Sequence, residues 1–132
     1  MRFLTLLLIL IFALSCQHQN GVNKTAKTGY SKIISERLGE GVQYQKNESG
    51  TNVLCKVEHK SINGLETRFI LYDLEQEQIL LEDAVYNGSV QWISDSEIQV
   101  KNTPGMVTTD PEQNKKMQGY IFNLNTNQKE YR

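Results

Sequence analysis

The chain is poor in the residues that build most reactive sites. It holds two cysteines and two histidines in 132 residues. A metal centre needs three or four ligands, and a nucleophilic site needs a base beside its nucleophile. Cys55 and His59 are four residues apart on a predicted strand, about 13 Å along it, which is too far for proton transfer. The sequence also lacks Gly-x-Ser-x-Gly and glycine-rich phosphate motifs. We therefore predict a protein that is not an enzyme, with no catalytic residues, no metal and no cofactor.

Positive charge is also scarce. Lysine and arginine total 14 against 15 acidic residues, and the longest basic run is Lys115-Lys116. Proteins that bind nucleic acid carry a clear basic excess. We therefore predict no nucleic-acid partner.

Long hydrophobic runs are absent except at the N-terminus. Arg2 precedes residues 3–14, among which Thr5 alone is polar. A membrane-spanning helix needs about 20 apolar residues, whereas this run has the length of a secretory signal core. The sequence therefore predicts an export signal over residues 1–15.

The motif Ala13-Leu14-Ser15-Cys16 ends this signal directly on a cysteine. It resembles the lipobox of bacterial lipoproteins, which implies that Cys16 becomes the lipidated N-terminus after cleavage. Several acyl chains, at about 0.8 kcal/mol per buried methylene, then give a stable membrane anchor. Because Gln17 is not aspartate, the resemblance implies the bacterial cell envelope, at the outer membrane facing the periplasm. The alternative is an ordinary signal peptide with Cys16 near its cut site.

The segment after Cys16 holds little that could be buried. Val22 and Ala26 are the apolar residues between residues 17 and 29. We predict a flexible tether over residues 16–29, with a root-mean-square span of about 20 Å and a maximal reach of about 43 Å.

Residues 30–132 are predicted to form one small all-β domain. A short N-terminal helix is expected from Ser31, as its N-cap, to Gly39, followed by an antiparallel meander of about four hairpins. Turn residues separate short β-branched and aromatic runs. The paired segments are residues 42–46 with 52–58, 67–74 with 78–82, 89–93 with 97–101, and 117–124 with 128–131. The pattern leaves a twisted sheet, a small sandwich and a barrel-like form open.

Two runs are apolar on both faces and are predicted to be central strands: residues 69–72 and 120–122. They also repeat at a spacing of 50, and this hairpin pattern resembles the outer hairpin of β-propeller blades. About 100 residues make two blades at most, so a closed propeller is excluded. Cys55 shares a face with Val53 and Val57 and is predicted to be a buried thiol without a disulfide partner.

Several polar residues and one tryptophan have predicted positions. Glu82 and Asp83 should point to opposite faces of a strand. Asp95 should cap its own turn, and Trp92 should lie in the core.

The longest irregular stretch, residues 102–116, is the candidate for recognition, because loops on rigid scaffolds commonly bind partners. Met106 and Val107 are the apolar residues there. They either contact a partner or cover the open end of the sheet. We predict a lipid-anchored accessory or interaction protein of the envelope, binding an envelope protein. The alternatives are a carrier of a small hydrophobic ligand in a cavity among the hairpins, and an inhibitor of a cell-wall hydrolase.

Overall fold

The computed structural model describes residues 29–131, and the predicted signal peptide, Cys16 and nearly all of the tether lie outside them. The strands form two four-stranded antiparallel sheets, sheet 1 in the order β1-β2-β3-β4 and sheet 2 in the order β5-β6-β7-β8. The elements are α1 (Gly29–Leu38), β1 (Gln43–Lys46), β2 (Asn52–Ser61), β3 (Gly64–Asp73), β4 (Gln78–Tyr86), β5 (Ser89–Ser94), β6 (Glu97–Lys101), α2 (Pro111–Gln118), β7 (Gly119–Asn123) and β8 (Gln128–Glu130). The all-β prediction is confirmed, and all four predicted hairpins form.

The two sheets pack face to face around one hydrophobic core. Alternate residues of each strand point inwards, so the core draws on both sheets. Its buried members are Leu54, Phe69, Leu71, Val85, Val90, Ile98, Val100, Tyr120 and Phe122. Trp92 packs half-buried against this core, as predicted, and its Nε1 donates to the Gln45 carbonyl at 3.0 Å. Of the three forms left open by the sequence, the chain adopts the sandwich.

The other face of sheet 1 is covered by α1. Ile34 and Leu38 of the helix pack on Val53, Cys55 and Ile70. The prediction that residues 69–72 form a central strand with two apolar faces is therefore confirmed. In β7, by contrast, Ile121 points away from the inter-sheet core but is still buried.

Cys55 is a buried free thiol, as predicted. Burial raises its pKa to about 12, so the reactive thiolate is disfavoured at neutral pH. The residue serves packing between α1 and sheet 1.

The sheets are joined by only two residues, Asn87 and Gly88. A Cβ atom on Gly88 would lie 1.9 Å from the backbone oxygen of Lys101, so only glycine allows β6 to come this close. Asn87 adopts φ 49°, which asparagine tolerates better than most residues. Its Oδ1 accepts from the Leu65 backbone N–H at 2.9 Å and holds the corner to sheet 1.

The sequence repeat at a spacing of 50 residues corresponds to two hairpins with the same turn structure. Asp73 Oδ1 accepts two backbone N–H groups of the β3–β4 turn, and Asn123 Oδ1 does the same in the β7–β8 turn. Each turn then has one residue at positive φ, Glu77 at 53° and Asn127 at 54°. The two hairpins are equivalent parts of two similar sheets.

Helix α2 was not predicted. The sequence suggested irregular structure over residues 102–116 and a strand beginning at Met117, which instead lies within α2. Asp110 is the N-cap and Pro111 occupies the first turn, a strong start signal. No residue of α2 is buried. Because the helix buries no face, its sequence carries no apolar periodicity that would distinguish it from a loop.

The start of α1 also differs from the prediction. The helix already includes Gly29, the first described residue, so Ser31 lies inside it rather than at the N-cap. The predicted closing residue is correct: Gly39 adopts φ 89° and its N–H donates to the Ser35 carbonyl at 3.0 Å.

Candidate functional site

The candidate recognition segment leaves sheet 2 after β6 and returns at β7. The two ends of this excursion are held together by Asn102, whose N–H donates to the Gln118 carbonyl at 2.9 Å. The Asn102 side chain donates to the Met117 carbonyl at 3.1 Å. The base of the excursion is thus fixed to the sheet.

A second set of hydrogen bonds fixes the excursion at Thr108. Its N–H donates to Asn114 Oδ1 at 2.8 Å, and Asn114 Nδ2 donates back to the Thr108 carbonyl at 2.8 Å. Asp110 caps α2 by accepting from the N–H of Glu112 at 2.9 Å. Thr108 is therefore tied to the first turns of α2.

Between these two fixed points lies a short arc, residues 103–107. Met106 and Val107 stand on it with 77% and 80% of their surfaces exposed. This exposure does not fit the alternative in which they cover the open end of the sheet. An apolar pair held in place this way loses little conformational freedom on binding, which favours recognition.

The arc borders an open groove on the outer face of sheet 2. The groove has a volume of about 520 Å³ and is bounded by Gln99, Lys101, Thr103, Pro104, Gln118 and Ile121. Gly119, at the groove's edge, permits the close approach of β6, because a Cβ atom here would fall 2.0 Å from the Val100 oxygen. The middle of the space between the sheets, where the ligand-carrier hypothesis places a cavity, holds large buried side chains such as Phe69 and Phe122. A pocket of about 340 Å³ remains at its edge, lined by residues of both sheets that include Leu80 and Leu124.

A polar clasp joins the two sheets on the side of β4 and β8. Asp83 Oδ2 accepts from the Tyr120 hydroxyl at 2.6 Å and from Lys129 Nζ at 2.7 Å. The Lys129 ammonium also lies 4.2 Å from the centre of the Tyr120 ring. Glu82 points the opposite way and pairs with Arg37 of α1 at 2.6 Å, so the prediction of opposite faces is confirmed.

The electrostatics of this clasp favour an ionised Asp83 and a protonated Tyr120. Burial alone would raise the pKa of Asp83, but hydrogen bonds from Lys129, Tyr120 and the Ala84 N–H outweigh burial and lower it. Burial, and then the bond to Asp83, raise the pKa of Tyr120 far above its usual range. Tyr120 therefore stays protonated and cannot act as a base at neutral pH.

Asp83→Asn should destabilise the domain by about 1–2 kcal/mol at pH 7, since it weakens charged hydrogen bonds at a partly exposed site. Because the folded-state pKa lies below the ordinary value of 3.8, the stabilisation is present above that pH and is lost as the pH falls through the lower value. Urea unfolding at pH 7 and at pH 3 measures this. The gap between wild type and variant should narrow in acid, and a constant gap would contradict the assignment.

A second polar contact joins the turns at the ends of the sheets, and the sequence did not indicate it. Asn47 is buried, and its Nδ2 donates to the Asp95 carbonyl at 2.9 Å. Asp95 Oδ1 accepts from the Ser49 N–H of the other sheet at 2.7 Å. Asp95 therefore bridges the sheets instead of capping its own turn, as was predicted. The sequence gives no local sign of this contact, because Ser49 lies 46 residues away.

Residues 29–131 hold neither a cluster of metal ligands nor a membrane-spanning helix. No group of three or more His, Cys, Asp or Glu side chains in this part of the chain is placed to hold a metal ion. None of the helices within these residues has the length and apolar character needed to cross a membrane. No protein-family model, curated protein or solved structure matches the chain.

Proposed function

We propose that this protein is a non-catalytic accessory protein of the bacterial envelope, anchored by lipid on Cys16, that docks a partner protein through the arc of residues 103–107. The observation that carries the docking proposal is the exposure of Met106 and Val107 on an arc fixed at both ends. The lipobox-like motif carries the anchoring proposal. The hydrolase-inhibitor hypothesis would be one form of such docking.

The arc is suited to binding rather than to stability. Its apolar side chains make no contribution to either hydrophobic cluster of the described domain. Exposed apolar residues in a fixed loop provide contact area for a partner, and burying each of them fully is worth about 1.5–3 kcal/mol.

Met106→Ser combined with Val107→Ser should leave the melting temperature unchanged and should reduce recovery of the partner protein. The reason is that both side chains face solvent in the isolated protein. Recovery is measured by crosslinking the partner to the lipidated protein and purifying the complex from detergent extracts. Differential scanning fluorimetry and mass spectrometry give the two readouts.

Ile33→Ser is the matched control, because Ile33 is an exposed apolar residue on α1. It should leave recovery intact. A fall of several degrees in the melting temperature of the double variant would assign Met106 and Val107 to the core. Unchanged melting with unchanged recovery would reject docking through this arc.

A further inference from the structure

The sandwich has two distinct ends. The near end comprises the hairpin turns at residues 47–51, 74–77, 95–96 and 124–127, which the Ser49–Asp95 contact brings together. The far end comprises the β2–β3 turn, the Asn87-Gly88 corner and the excursion over residues 102–118. The Leu65–Asn87 hydrogen bond and the approach of Gly88 to Lys101 join these far-end segments.

The chain enters the domain at the near end. Tyr30, in the first turn of α1, stacks on Tyr72 with ring centres 5.5 Å apart, and Tyr72 lies just before the near-end turn at residues 74–77. The carbonyl oxygen of Arg37, in the last turn of α1, accepts from Arg68 at 3.1 Å. Arg68 precedes Tyr72 in β3 and so lies closer to the far end. Helix α1 therefore runs from the near end towards the far end.

The most exposed apolar side chains all belong to the far end. Ile62 is fully exposed at the tip of the β2–β3 hairpin, and Tyr86 is 59% exposed at the end of β4. Met106 and Val107 are the other two large apolar residues with more than half of their surface in solvent among residues 29–131. Every other exposed large apolar residue of this region is below that level. This concentration at one end marks it as an interaction surface.

The two ends also differ in formal charge. The near end, over residues 46–52, 73–78, 94–97 and 123–128, holds one lysine and six carboxylates. The far end, over residues 58–66, 86–88 and 101–119, holds four lysines and four carboxylates and is neutral. Proteins that insert apolar tips into anionic membranes carry a basic excess around them, which this end lacks. Apolar tips among balanced charges of both signs instead fit a protein partner.

We infer that the whole far end, and not the arc alone, is the docking surface, and that it fits a partner protein whose apolar recess, bordered by charges of both signs, reaches both the Ile62 tip and the arc. This inference rests on the proposed function and extends it to a second, independent loop. The far end is the end opposite to the one at which the chain enters the domain.

Site-specific photocrosslinking in cells expressing the full chain tests the inference. The photoreactive residue p-benzoylphenylalanine replaces Ile62, Met106 or, as the control outside the far end, Tyr44, which is exposed on β1. We expect one protein adduct of the same mass from Ile62 and Met106, and none from Tyr44. Ile62→Ser should then reduce the Met106 adduct at least about fivefold without changing the melting temperature.

Each other outcome counts against the inference in a different way. An adduct from Met106 alone would overturn the wider surface but leave the proposed function standing. A phospholipid adduct at Ile62 would assign the far end to a membrane instead. The inference would be overturned by equal adducts at Tyr44 or by an undiminished Met106 adduct in Ile62→Ser. It would also be overturned if neither far-end position gave an adduct, and that result would count against docking through the arc as well.

Discussion

Replacing Cys16 with alanine should release the protein from the membrane altogether. In the proposed anchoring, diacylglycerol is attached through the Cys16 thiol, and alanine offers no atom for that bond. Several acyl chains, at about 0.8 kcal/mol per buried methylene, account for the whole anchoring free energy. Fractionation after a carbonate wash and intact-mass measurement of the chain are the two readouts. The expected result is uncleaved precursor or mislocalised protein without acyl mass.

Cys55→Ala is the matched control for this experiment. Cys55 is the other cysteine of the chain, and it is buried against α1, where no lipid can reach it. The control should keep both membrane fractionation and acyl mass. If Cys16→Ala still carried acyl mass in washed membranes, Cys16 would not be the acceptor and the lipobox resemblance would be misleading.

Much of the fold could be predicted because its signals are local. Turn residues and alternating apolar residues define each hairpin within about 20 residues of sequence, and all four hairpins form as predicted. The core position of Phe69 and the helix-facing position of Cys55 follow from the same alternation. The sandwich could not be chosen in advance from the other forms. It requires the chain to leave sheet 1 and start sheet 2 at Asn87-Gly88, and a turn sequence does not show which sheet the next strand joins.

The contacts between the sheets could not be predicted, because they join residues that are distant in sequence. Asp83 meets Tyr120 after 37 residues and Lys129 after 46. A carboxylate in a strand gives no local sign of such partners. Helix α2 was missed for a different physical reason: it buries no side chain, and only its Asp-Pro start marks it in the sequence.

The candidate site was half visible in the sequence. Met106 and Val107 stood out as apolar residues in a polar loop, but their exposure, and so the choice between core and contact, required the structure. Ile62 and Tyr86 were not recognised as candidates, because single apolar residues near turns are common. Their shared position with the arc emerges only when the strands are paired and the far end is assembled.

Phe69→Ala should produce the largest loss of folding stability among the changes considered, about 3–5 kcal/mol. Phe69 is completely buried on β3, at the centre of the core that both sheets share. Its removal leaves a cavity that neighbouring strands cannot close, because their hydrogen bonds fix their spacing. A domain of this size has about 5–15 kcal/mol of total stability. The melting temperature should therefore fall by more than about 12 °C.

Two controls separate this core effect from the general cost of truncating an aromatic side chain. Phe69→Leu keeps most of the buried volume and should cost about 1 kcal/mol. Tyr86→Ala removes an aromatic ring from the neighbouring strand β4, but the ring is mostly exposed and should cost below about 1 kcal/mol. Urea unfolding of the three variants provides the comparison. If Phe69→Ala and Tyr86→Ala were destabilised equally, the sheets would not share a core at Phe69, and the two ends that define the proposed docking surface would not be held together as described.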